Sequence, residues 1–349
     1  MAARAGVSIG TASKALNGQG KLRAATRDRV AAAAQELGFA PNVLAKALLA
    51  GRSYTVGVIT TDSFGRFSIP VMLGAEDALG AGQISVFMCD TRDDPARERQ
   101  YLDMLLSRRV DGLIVTGRRI EPRPSIGTTL GIPVVYAMTQ SLDSDEQAIL
   151  PDDYGGGQLA ARHFLGSGRR RVAHITGPER FLAARKRASG FCEAVASAGA
   201  EFSPNDVLYG EWSERWGREG AHILLRAAPD VEAIFCGSDQ IARGVADTLR
   251  MLGHRVPQDI ALIGFDNWAP MALGAEPPLT SIDMCLEDVG RAAAEHLLTA
   301  INEAPTHGVH IVPCRLVIRE STDPGHTSGP RERPGSRPTA PGAASTQAC

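Results

Sequence analysis

The pattern Gly6-Val7-Ser8-Ile9-Gly10 matches the G-x-S-x-G motif, in which a serine hydroxyl acts as a nucleophile. That chemistry needs a strand directly before the serine, and no strand is predicted there. Ser8 is better explained as a residue that caps the start of a helix. The chain also has no Walker A and no G-x-G-x-x-G string. We therefore expect no catalytic residue, and the sequence does not favour an enzyme.

Residues that could bind a metal are scattered. The cysteines form no C-x-x-C pair, which argues against both a zinc site and a disulfide framework. We expect reduced and mostly buried thiols at the six positions, Cys89, Cys192, Cys236, Cys285, Cys314 and Cys349. His307 and His310 are the only histidines close together in sequence, and one such pair gives little support for a metal site. We expect no metal and no cofactor.

Charge is distributed unevenly along the chain. The net charge is -2, but residues 1–52 hold eight basic side chains against two acidic ones. The remainder is therefore acidic. A basic segment on an acidic body suits contact with phosphate groups, although a charged, solvated helix surface is the alternative.

The basic segment is predicted to be helical. A short helix should end at the turn made by Gly6, and Ser8 should cap a second helix. Thr26 is predicted to cap a third helix, which closes at Gly38 and has its apolar positions at Val30, Ala33, Ala34 and Leu37. Taken alone, the first two helices are equally compatible with an ordinary αα-hairpin.

A fourth, short helix should follow between Pro41 and Gly51, since proline suits a helix start and glycine a helix stop. About nine residues are too few for an independently stable helix. We expect this segment to become ordered only when it docks on something.

From Leu44 onward, short apolar runs alternate with helical periodicity, which predicts βαβ units and mainly parallel sheets. The predicted strands are Thr55–Thr60, Ile84–Asp90, Gly112–Val115, Val134–Ala137, Val172–Thr176, Ala233–Cys236, Ala261–Phe265 and Ser281–Met284. The predicted helices are Val71–Leu79, Arg97–Leu106, Leu159–Leu165, Arg187–Ala198, Ala221–Leu225 and Ile241–Leu252.

These strands fall into two groups on either side of residues 151–157, so two doubly wound lobes are expected. Parallel sheets bind ligands at the carboxyl ends of their strands, and two such ends facing each other would form a cleft that can close.

Outside these elements the sequence has little that could fold. Residues 324–349 are rich in Gly, Pro, Ser, Arg and Ala, and we expect them to be disordered.

No apolar run is long enough to span a membrane, and the N-terminus does not resemble a secretory signal. We expect a cytoplasmic protein.

Ordered matches along the chain resemble the LacI/GalR repressor family. In the basic segment they are Ala5-Gly6-Val7-Ser8, Thr11, Ser13-Lys14, Leu16-Asn17-Gly18, Thr26-Arg27, Arg29-Val30, Gly38-Phe39, Pro41-Asn42 and Leu44-Ala45-Lys46-Ala47-Leu48. In the body they are Gly57-Val58-Ile59, Val110-Asp111-Gly112-Leu113-Ile114, Gly131-Ile132-Pro133-Val134-Val135, Ser238-Asp239, Ile263-Gly264-Phe265-Asp266 and Pro278-Leu279-Thr280-Ser281-Ile282.

The resemblance implies a helix-turn-helix headpiece over residues 1–40 and a hinge helix over 41–52. It also implies a periplasmic-binding-protein-like α/β sensor, with lobe 1 over 53–153 and 284–308 and lobe 2 over 154–283 and 309–323. The partners implied are a palindromic double-stranded DNA operator, a small-molecule effector and a second copy of the chain. A solute-binding protein with a non-functional, truncated headpiece is the alternative.

The resemblance also implies which residues read DNA. Ile9, Gly10 and Lys14 match positions that face base edges in the major groove, although Ile9 could instead be buried in the headpiece. Leu48 matches a hinge leucine that wedges into the minor groove, although it could be an ordinary packing residue. The full set implied to contact DNA is Ser8, Ile9, Gly10, Thr11, Ser13, Lys14, Asn17 and Leu48.

Family members usually carry several residues before the position of Met1, so this sequence begins inside the first helix. A helix reduced to about one turn has few hydrogen bonds to offset nucleation, and the headpiece as written should be poorly stable. We expect the natural start to lie upstream.

In the sensor, the resemblance implies effector contacts at Arg187, Trp212, Ser238, Asp239 and Asp266. Forked donors, a carboxylate and an aromatic face together suit a sugar-like ligand. The alternatives are a salt bridge between the lobes for Arg187 and Asp266, and core packing for Trp212. Polar partners are frequent in the family at the positions of three residues here, Met138, Ala183 and Met284, so a nucleoside or a less hydroxylated compound is equally admissible.

Overall fold

The computed structural model describes residues 1–16, 20–39, 52–80, 83–127, 130–200, 206–323 and 325. The chain divides into two compact units. Unit 1 is Met1–Leu150 with Leu286–His310, and unit 2 is Pro151–Cys285 with Ile311–Cys349. Asn17, Leu48, the predicted hinge before Arg52 and the predicted tail apart from Gly325 lie outside the described residues.

The strands of the described chain are, in order, β1 (Thr55–Thr60), β2 (Ser85–Asp90), β3 (Gly112–Thr116), β4 (Pro122–Arg123), β5 (Val134–Ala137), β6 (Gln140–Ser141), β7 (Gln147–Pro151), β8 (Val172–Thr176), β9 (Val207–Tyr209), β10 (Ala233–Cys236), β11 (Ala261–Phe265), β12 (Thr280–Asp283), β13 (Gly308–Val312) and β14 (Arg315–Val317). The helices are α1 (Ile9–Leu16), α2 (Ala24–Glu36), α3 (Ser68–Ala78), α4 (Pro95–Ser107), α5 (Asp153–Gly166), α6 (Leu182–Ser197), α7 (Glu214–Ala227), α8 (Asp239–Met251), α9 (Ala269–Ala272) and α10 (Leu286–Asn302).

Two six-stranded sheets form the centre of the fold, with strand orders β13-β7-β5-β3-β1-β2 and β14-β12-β11-β10-β8-β9. The neighbours from β7 to β2 are parallel, and so are those from β12 to β9. Strand β14 runs antiparallel to β12. Parallel neighbours require crossover connections, which the intervening helices supply, so the predicted α/β fold with parallel sheets is confirmed. No helix in the described part of the chain is long and apolar enough to cross a membrane.

Residues 1–6 form a single turn before α1, in which the Ala5 amide donates to the Met1 carbonyl oxygen at 2.9 Å. Gly6 has a φ of +63°, and the Val7 and Gly6 amides donate to Ala2 and Ala3. This pair of bonds is a Schellman motif, so the predicted glycine turn is confirmed. A small apolar cluster of Ala5, Ala12, Val30 and Ala33 joins this turn to α1 and α2.

Two predictions for the third headpiece helix are wrong. Helix α2 begins at Ala24, and Arg23 precedes it without a side-chain cap, so Thr26 lies in the first turn rather than at the cap. Leu37 is exposed rather than buried, because it follows the last helical residue. The predicted stop is confirmed, since Gly38 has a φ of +58° and Phe39 donates to the Ala34 carbonyl oxygen.

Helix α5 begins where the sequence indicated only a connecting segment. Asp152 caps it by accepting from the Gly155 amide at 2.8 Å, so glycines 155–157 are helical rather than part of a linker. A Cβ at Gly157 would lie 2.2 Å from the Arg187 carbonyl oxygen, and one at Gly190 would lie 2.0 Å from that of Tyr154. The glycines therefore let α5 and α6 pack backbone to backbone.

Replacing Gly190 by alanine is expected to lower the free energy of unfolding by about 1–3 kcal/mol, because the added methyl group overlaps the Tyr154 carbonyl. Urea unfolding measures the change. Gly166→Ala, at the exposed end of α5 with no atom within 4 Å of the new Cβ, is the matched control and should be neutral or slightly stabilising. Equal losses for the two variants would show that close packing at Gly190 is unimportant.

Candidate DNA-binding and effector-binding sites

Helix α1 presents one accessible face. At 3.6 residues per turn, positions 9, 10, 13 and 14 fall within an arc of about 140°. Ile9 is 82% exposed, and Gly10, Ser13 and Lys14 are also exposed. Ala12 points to the other side and is buried. The alternative that Ile9 belongs to the headpiece core is therefore wrong, and four of the predicted DNA-contacting residues share one surface.

The start of α1 is organised by Ser8 and Thr11. The Thr11 amide donates to Ser8 Oγ at 3.1 Å, and the two hydroxyl oxygens lie 2.9 Å apart. The predicted cap at Ser8 is thereby confirmed. The positive end of the helix dipole and two hydroxyl groups stand together at this N-terminus, which is an arrangement that can contact a phosphate group.

In unit 2, Arg187 is buried within α6 and surrounded by acceptors. Its Nε donates to Asp153 Oδ1 at 2.7 Å, and its Nη1 donates to the Gly237 carbonyl oxygen at 2.6 Å. Nη1 also lies 3.7 Å from Asp266 Oδ1, and the guanidinium carbon lies 3.6 Å from the centre of the Phe265 ring. Stacking on an aromatic face and a carboxylate partner together fix the guanidinium plane.

The charge state of Arg187 follows from these contacts. Burial lowers the pKa of Arg187, but the Asp153 and Asp266 carboxylates outweigh burial and hold that pKa above its ordinary value. Arg187 and Asp266 belong to the same unit, so the alternative of a salt bridge between lobes is wrong for this pair.

Asp266 directly follows β11 and has an unusual backbone. Its φ is +101°, and that of the next residue, Asn267, is +51°. Non-glycine residues rarely adopt such angles, and each costs on the order of 1–3 kcal/mol unless the surroundings hold it. Here the Asp266 amide donates to the Ile282 carbonyl oxygen and the Asn267 amide to Ser281 Oγ. This backbone conformation places the Asp266 carboxylate beside Arg187.

Ser238 and Asp239 lie at the start of α8 and both are buried. Ser238 caps the helix by accepting from the Ile241 amide at 3.3 Å. Asp239 accepts from Ser281 Oγ and from the Trp268 amide, each at 2.6 Å. Asp239 therefore holds the loop after β11 in place, and Ser238 fixes the start of α8, so the polar atoms of both side chains are used inside the protein.

Trp212 is half-buried and rests on the backbone after β8. A Cβ at Gly177 would lie 2.2 Å from Trp212 Cε2, so the indole lies directly on that glycine. The Arg187 guanidinium carbon lies 5.7 Å from the centre of the indole. Trp212 also packs against the core of unit 2, so it combines core packing with a position beside Arg187.

Asp153, the strongest partner of Arg187, was not predicted from the sequence. It is 1% exposed, and among the described residues its Oδ2 has no hydrogen-bond partner. The only signal was the Asp152-Asp153 pair before the glycines, which the predicted linker obscured. Gly237 and Phe265 also contact Arg187. They were missed because their roles depend on packing between distant segments.

A cavity of about 280 Å³ lies in unit 1 at the carboxyl ends of β1, β2, β3 and β5. Its lining includes Thr61, Thr91, Glu98, Thr116, Arg118 and Arg123. Arg123 Nη2 donates to both Glu98 carboxylate oxygens at 2.6 Å. The sequence indicated no contact residue on these walls. Met138, whose position is often polar in the family, is buried.

His174 is buried beside the Arg187 site but does not supply acid–base chemistry. Burial lowers its pKa to about 3, so the ring is neutral at physiological pH. Its Nδ1 lies 2.9 Å from the Phe235 carbonyl oxygen, and the ring stacks on Phe235 with centroids 4.4 Å apart. The described residues also contain no group of three or more His, Cys, Asp or Glu side chains placed to hold a metal ion.

Comparison with known proteins places both parts of the chain in one family. Residues 1–42 match the model for bacterial regulatory proteins of the lacI family, and residues 53–320 match the model for periplasmic binding proteins and the sugar-binding domain of the LacI family. The chain belongs to the LacI family and is a DNA-binding transcription regulator. The family and fold predicted from the sequence are thereby confirmed.

Individual relatives agree over nearly the full length. The chain is 34% identical over 330 residues to the HTH-type transcriptional regulator CelR of Thermobifida fusca, which covers 92% of this chain and 96% of the relative. It is 28% identical to the ribose operon repressor of Halalkalibacterium halodurans, covering 94% of this chain and 97% of the relative. These relatives are transcriptional regulators, so the alternative of a solute-binding protein is not supported.

Solved structures show the same similarity. A CelR–cellobiose complex matches with a TM-score of 0.65 at 30% identity, over 92% of this chain and 98% of the solved one. The lac repressor dimer bound to operator and the anti-inducer ONPF matches with a TM-score of 0.66 at 26% identity, over 92% and 97%.

Proposed function

We propose that this chain is a repressor that binds a palindromic operator as a homodimer and changes its operator affinity when a sugar-like small molecule binds its sensor. The observation that carries the proposal is the exposed face of α1, where an apolar Ile9 at 82% exposure stands beside Lys14. In the major groove, an apolar side chain can contact a thymine methyl group and a lysine can donate to the guanine acceptors. A protein that reads chromosomal DNA works in the cytoplasm.

The DNA contacts follow from the position of each residue. Ser8, Thr11 and Ser13 are proposed to contact the DNA backbone or cap the helix, whereas Ile9, Gly10 and Lys14 are proposed to face base edges in the groove. Asn17 is proposed to contact DNA as well, and Leu48 is proposed to wedge into the minor groove. One headpiece over residues 1–40 reads one half-site, so a palindrome requires two copies.

The effector contacts divide into two kinds. Arg187, Asp266 and Trp212 are proposed to contact the ligand, because the Asp266 carboxylate and the Trp212 ring both lie beside the Arg187 guanidinium. Asp239 is proposed to hold the loop that carries Asp266, and Ser238 is proposed to cap the helix that carries Asp239. A sugar-like ligand is supported by the CelR–cellobiose complex and by the name of the ribose operon repressor.

The connection to the hinge supports coupling between the sensor and DNA. Arg52, the last residue of the predicted hinge, donates to Asn302 Oδ1 at 2.6 Å and to the Ile301 carbonyl oxygen at 3.1 Å. The Ser53 amide donates to Asp111 Oδ1 at 2.8 Å. A shift of the sensor would therefore be passed to the segment before Arg52, and the ligand would change the population of the DNA-binding state.

A gel-shift titration on the DNA upstream of its own gene tests the proposal. We expect specific binding that a ligand weakens or strengthens and that falls steeply with salt, because a protein with six to ten phosphate contacts loses about 10³–10⁵-fold in affinity between 50 and 200 mM salt. A scrambled fragment of equal length is the control. Equal affinity for both fragments would contradict sequence-specific repression.

A further inference from the structure

Two histidines of unit 1 lie side by side. His296 is on α10 and His310 is on β13, and both residues belong to unit 1. Their ring centroids are 5.5 Å apart, and their ring planes form an angle of 58°. In the sequence only His307 stands close to His310, and no metal was expected from that pair. The fold instead brings His310 to a histidine of the preceding helix.

The separation of the two rings suits imidazoles that share one cation. Zn²⁺ binds imidazole nitrogen at about 2.0–2.1 Å, and two such rings at a tetrahedral angle have centroids about 5.2 Å apart. The separation of the His296 and His310 rings is close to this value. Rings that pack for stacking alone are closer and more nearly parallel in this molecule, as His174 and Phe235 are at 4.4 Å and 11°. An edge-to-face contact between two neutral rings is the alternative.

The hydrogen bond made by His296 prepares its other ring nitrogen as a ligand. Nδ1 lies 2.8 Å from Thr306 Oγ1, a hydroxyl oxygen that can accept from the Nδ1 proton. In that tautomer Nε2 carries the lone pair. Metal-binding histidines commonly donate their second N–H to such a partner, which fixes the ring and the tautomer. Burial and the neighbouring His310 also lower the pKa of His296, so its ring is neutral at physiological pH.

His310 supplies an accessible second ring. It is exposed, and among the described residues none forms a hydrogen bond with its imidazole. Glu295, which is also exposed, is the acidic group whose charge acts on His296, and a negative charge nearby favours a cation. Two protein ligands leave the other positions of the ion to water. The site would therefore be open, unlike the closed four-ligand sites of structural zinc.

We propose that His296 and His310 form a two-histidine site for a divalent transition-metal cation, with Zn²⁺ as the ion that fits it. Imidazole suits zinc, copper and nickel, whereas magnesium and calcium prefer carboxylate, carbonyl and water oxygens. The site is independent of the proposed function. Neither histidine belongs to the exposed face of α1 or to the Arg187 cluster, which Arg187 forms with Asp153 and Asp266.

Calorimetric titration of the full-length, untagged protein with Zn²⁺ tests the site. Accessible thiols are alkylated first, because thiolates also bind zinc. We expect one ion per chain, which an excess of Mg²⁺ does not displace. His310→Asn should weaken binding by at least about tenfold, since it removes one of the two protein ligands. His222→Asn is the matched control, because it removes an exposed histidine from α7 of unit 2 and should leave the affinity unchanged.

Thr306→Val separates a metal site from a mere contact between two rings. Valine keeps the shape of the side chain but removes the hydroxyl that orients His296, so Zn²⁺ affinity should fall by about tenfold. His296→Asn should weaken binding at least as much. An unchanged affinity in Thr306→Val or His296→Asn would contradict binding through His296.

Two results would overturn the site as a whole. One is a lack of saturable Zn²⁺ binding by the unmodified protein, which an edge-to-face contact alone would give. The other is equal weakening by His310→Asn and His222→Asn, which would mean that scattered surface histidines bind the ion. His310 is exposed, so its replacement should not disturb folding. Operator binding is measured separately, and either result would leave the proposed function intact.

Discussion

Replacing Arg187 by methionine is expected to abolish the effector response and to lower the free energy of unfolding by about 3–5 kcal/mol. The variant keeps an unbranched, flexible side chain but removes the guanidinium that faces the two buried carboxylates of Asp153 and Asp266. Removing one partner of a buried ion pair costs more than the pair contributed, because the remaining charge cannot be solvated. Urea unfolding and the gel shift with and without ligand measure the two effects.

The loss of stability should depend on pH with a definite sign. Burial already raises the pKa of Asp153, against the opposing effect of Arg187, and without Arg187 that pKa should rise further. A carboxyl group with a raised folded-state pKa contributes stability that is present at low pH and lost as pH rises through that pKa. The variant should therefore be closest to the unmodified protein at pH 5 and furthest from it at pH 8.

Arg185→Met is the matched control for this prediction. Arg185 lies on the same helix two residues earlier, is exposed, and donates only to the Glu179 and Arg180 carbonyl oxygens in the contacts described. It should leave both the ligand response and the pH profile unchanged. An Arg187→Met protein that still responded to ligand would show that this guanidinium is structural.

The sheet was predictable from the sequence because its strands are buried on both faces. Strands β1, β5, β8, β10 and β11 begin and end at the predicted residues, since each is a continuous apolar run bounded by turn residues. Helix starts were less predictable. Glycines 155–157 indicated a linker by local propensity, whereas tertiary packing against α6 makes them helical.

The site was only partly predictable, for a related reason. Arg187 and Asp266 were indicated by the resemblance, and the cap at Ser8 by its pattern. Asp153 could not be found, because its partner lies 34 residues away and the two meet only where α5 and α6 pack closely. The positive φ of Asp266 was equally hidden, since it depends on hydrogen bonds that the Asp266 and Asn267 amides donate to the neighbouring strand β12 rather than on local sequence.

DNA binding can be changed separately from stability, whereas ligand response cannot. The Arg187 cluster is buried within a core, so changes there affect folding and ligand response together. The face of α1 is exposed, and Lys14 is not part of the apolar headpiece cluster. Substitutions on this face should therefore alter DNA binding without a matching loss of stability.

Lys14→Ala is accordingly expected to weaken operator binding by about 1–3 kcal/mol, or roughly 5- to 150-fold, with little change in the free energy of unfolding. If Lys14 reads a base, discrimination between operator and scrambled DNA should fall. If it binds a phosphate group, binding to both should fall equally and the salt slope should decrease by about one. Gel-shift titrations at several salt concentrations separate these outcomes.

Arg226→Ala supplies the control for Lys14, because it removes the same charge from the exposed last turn of α7 in unit 2. A general loss of positive charge would weaken DNA binding in both variants alike, whereas a contact made by α1 weakens it only in Lys14→Ala. Since Lys14 shares its face with Ile9, an operator affinity unchanged by Lys14→Ala would mean that this surface of the headpiece does not enter the groove.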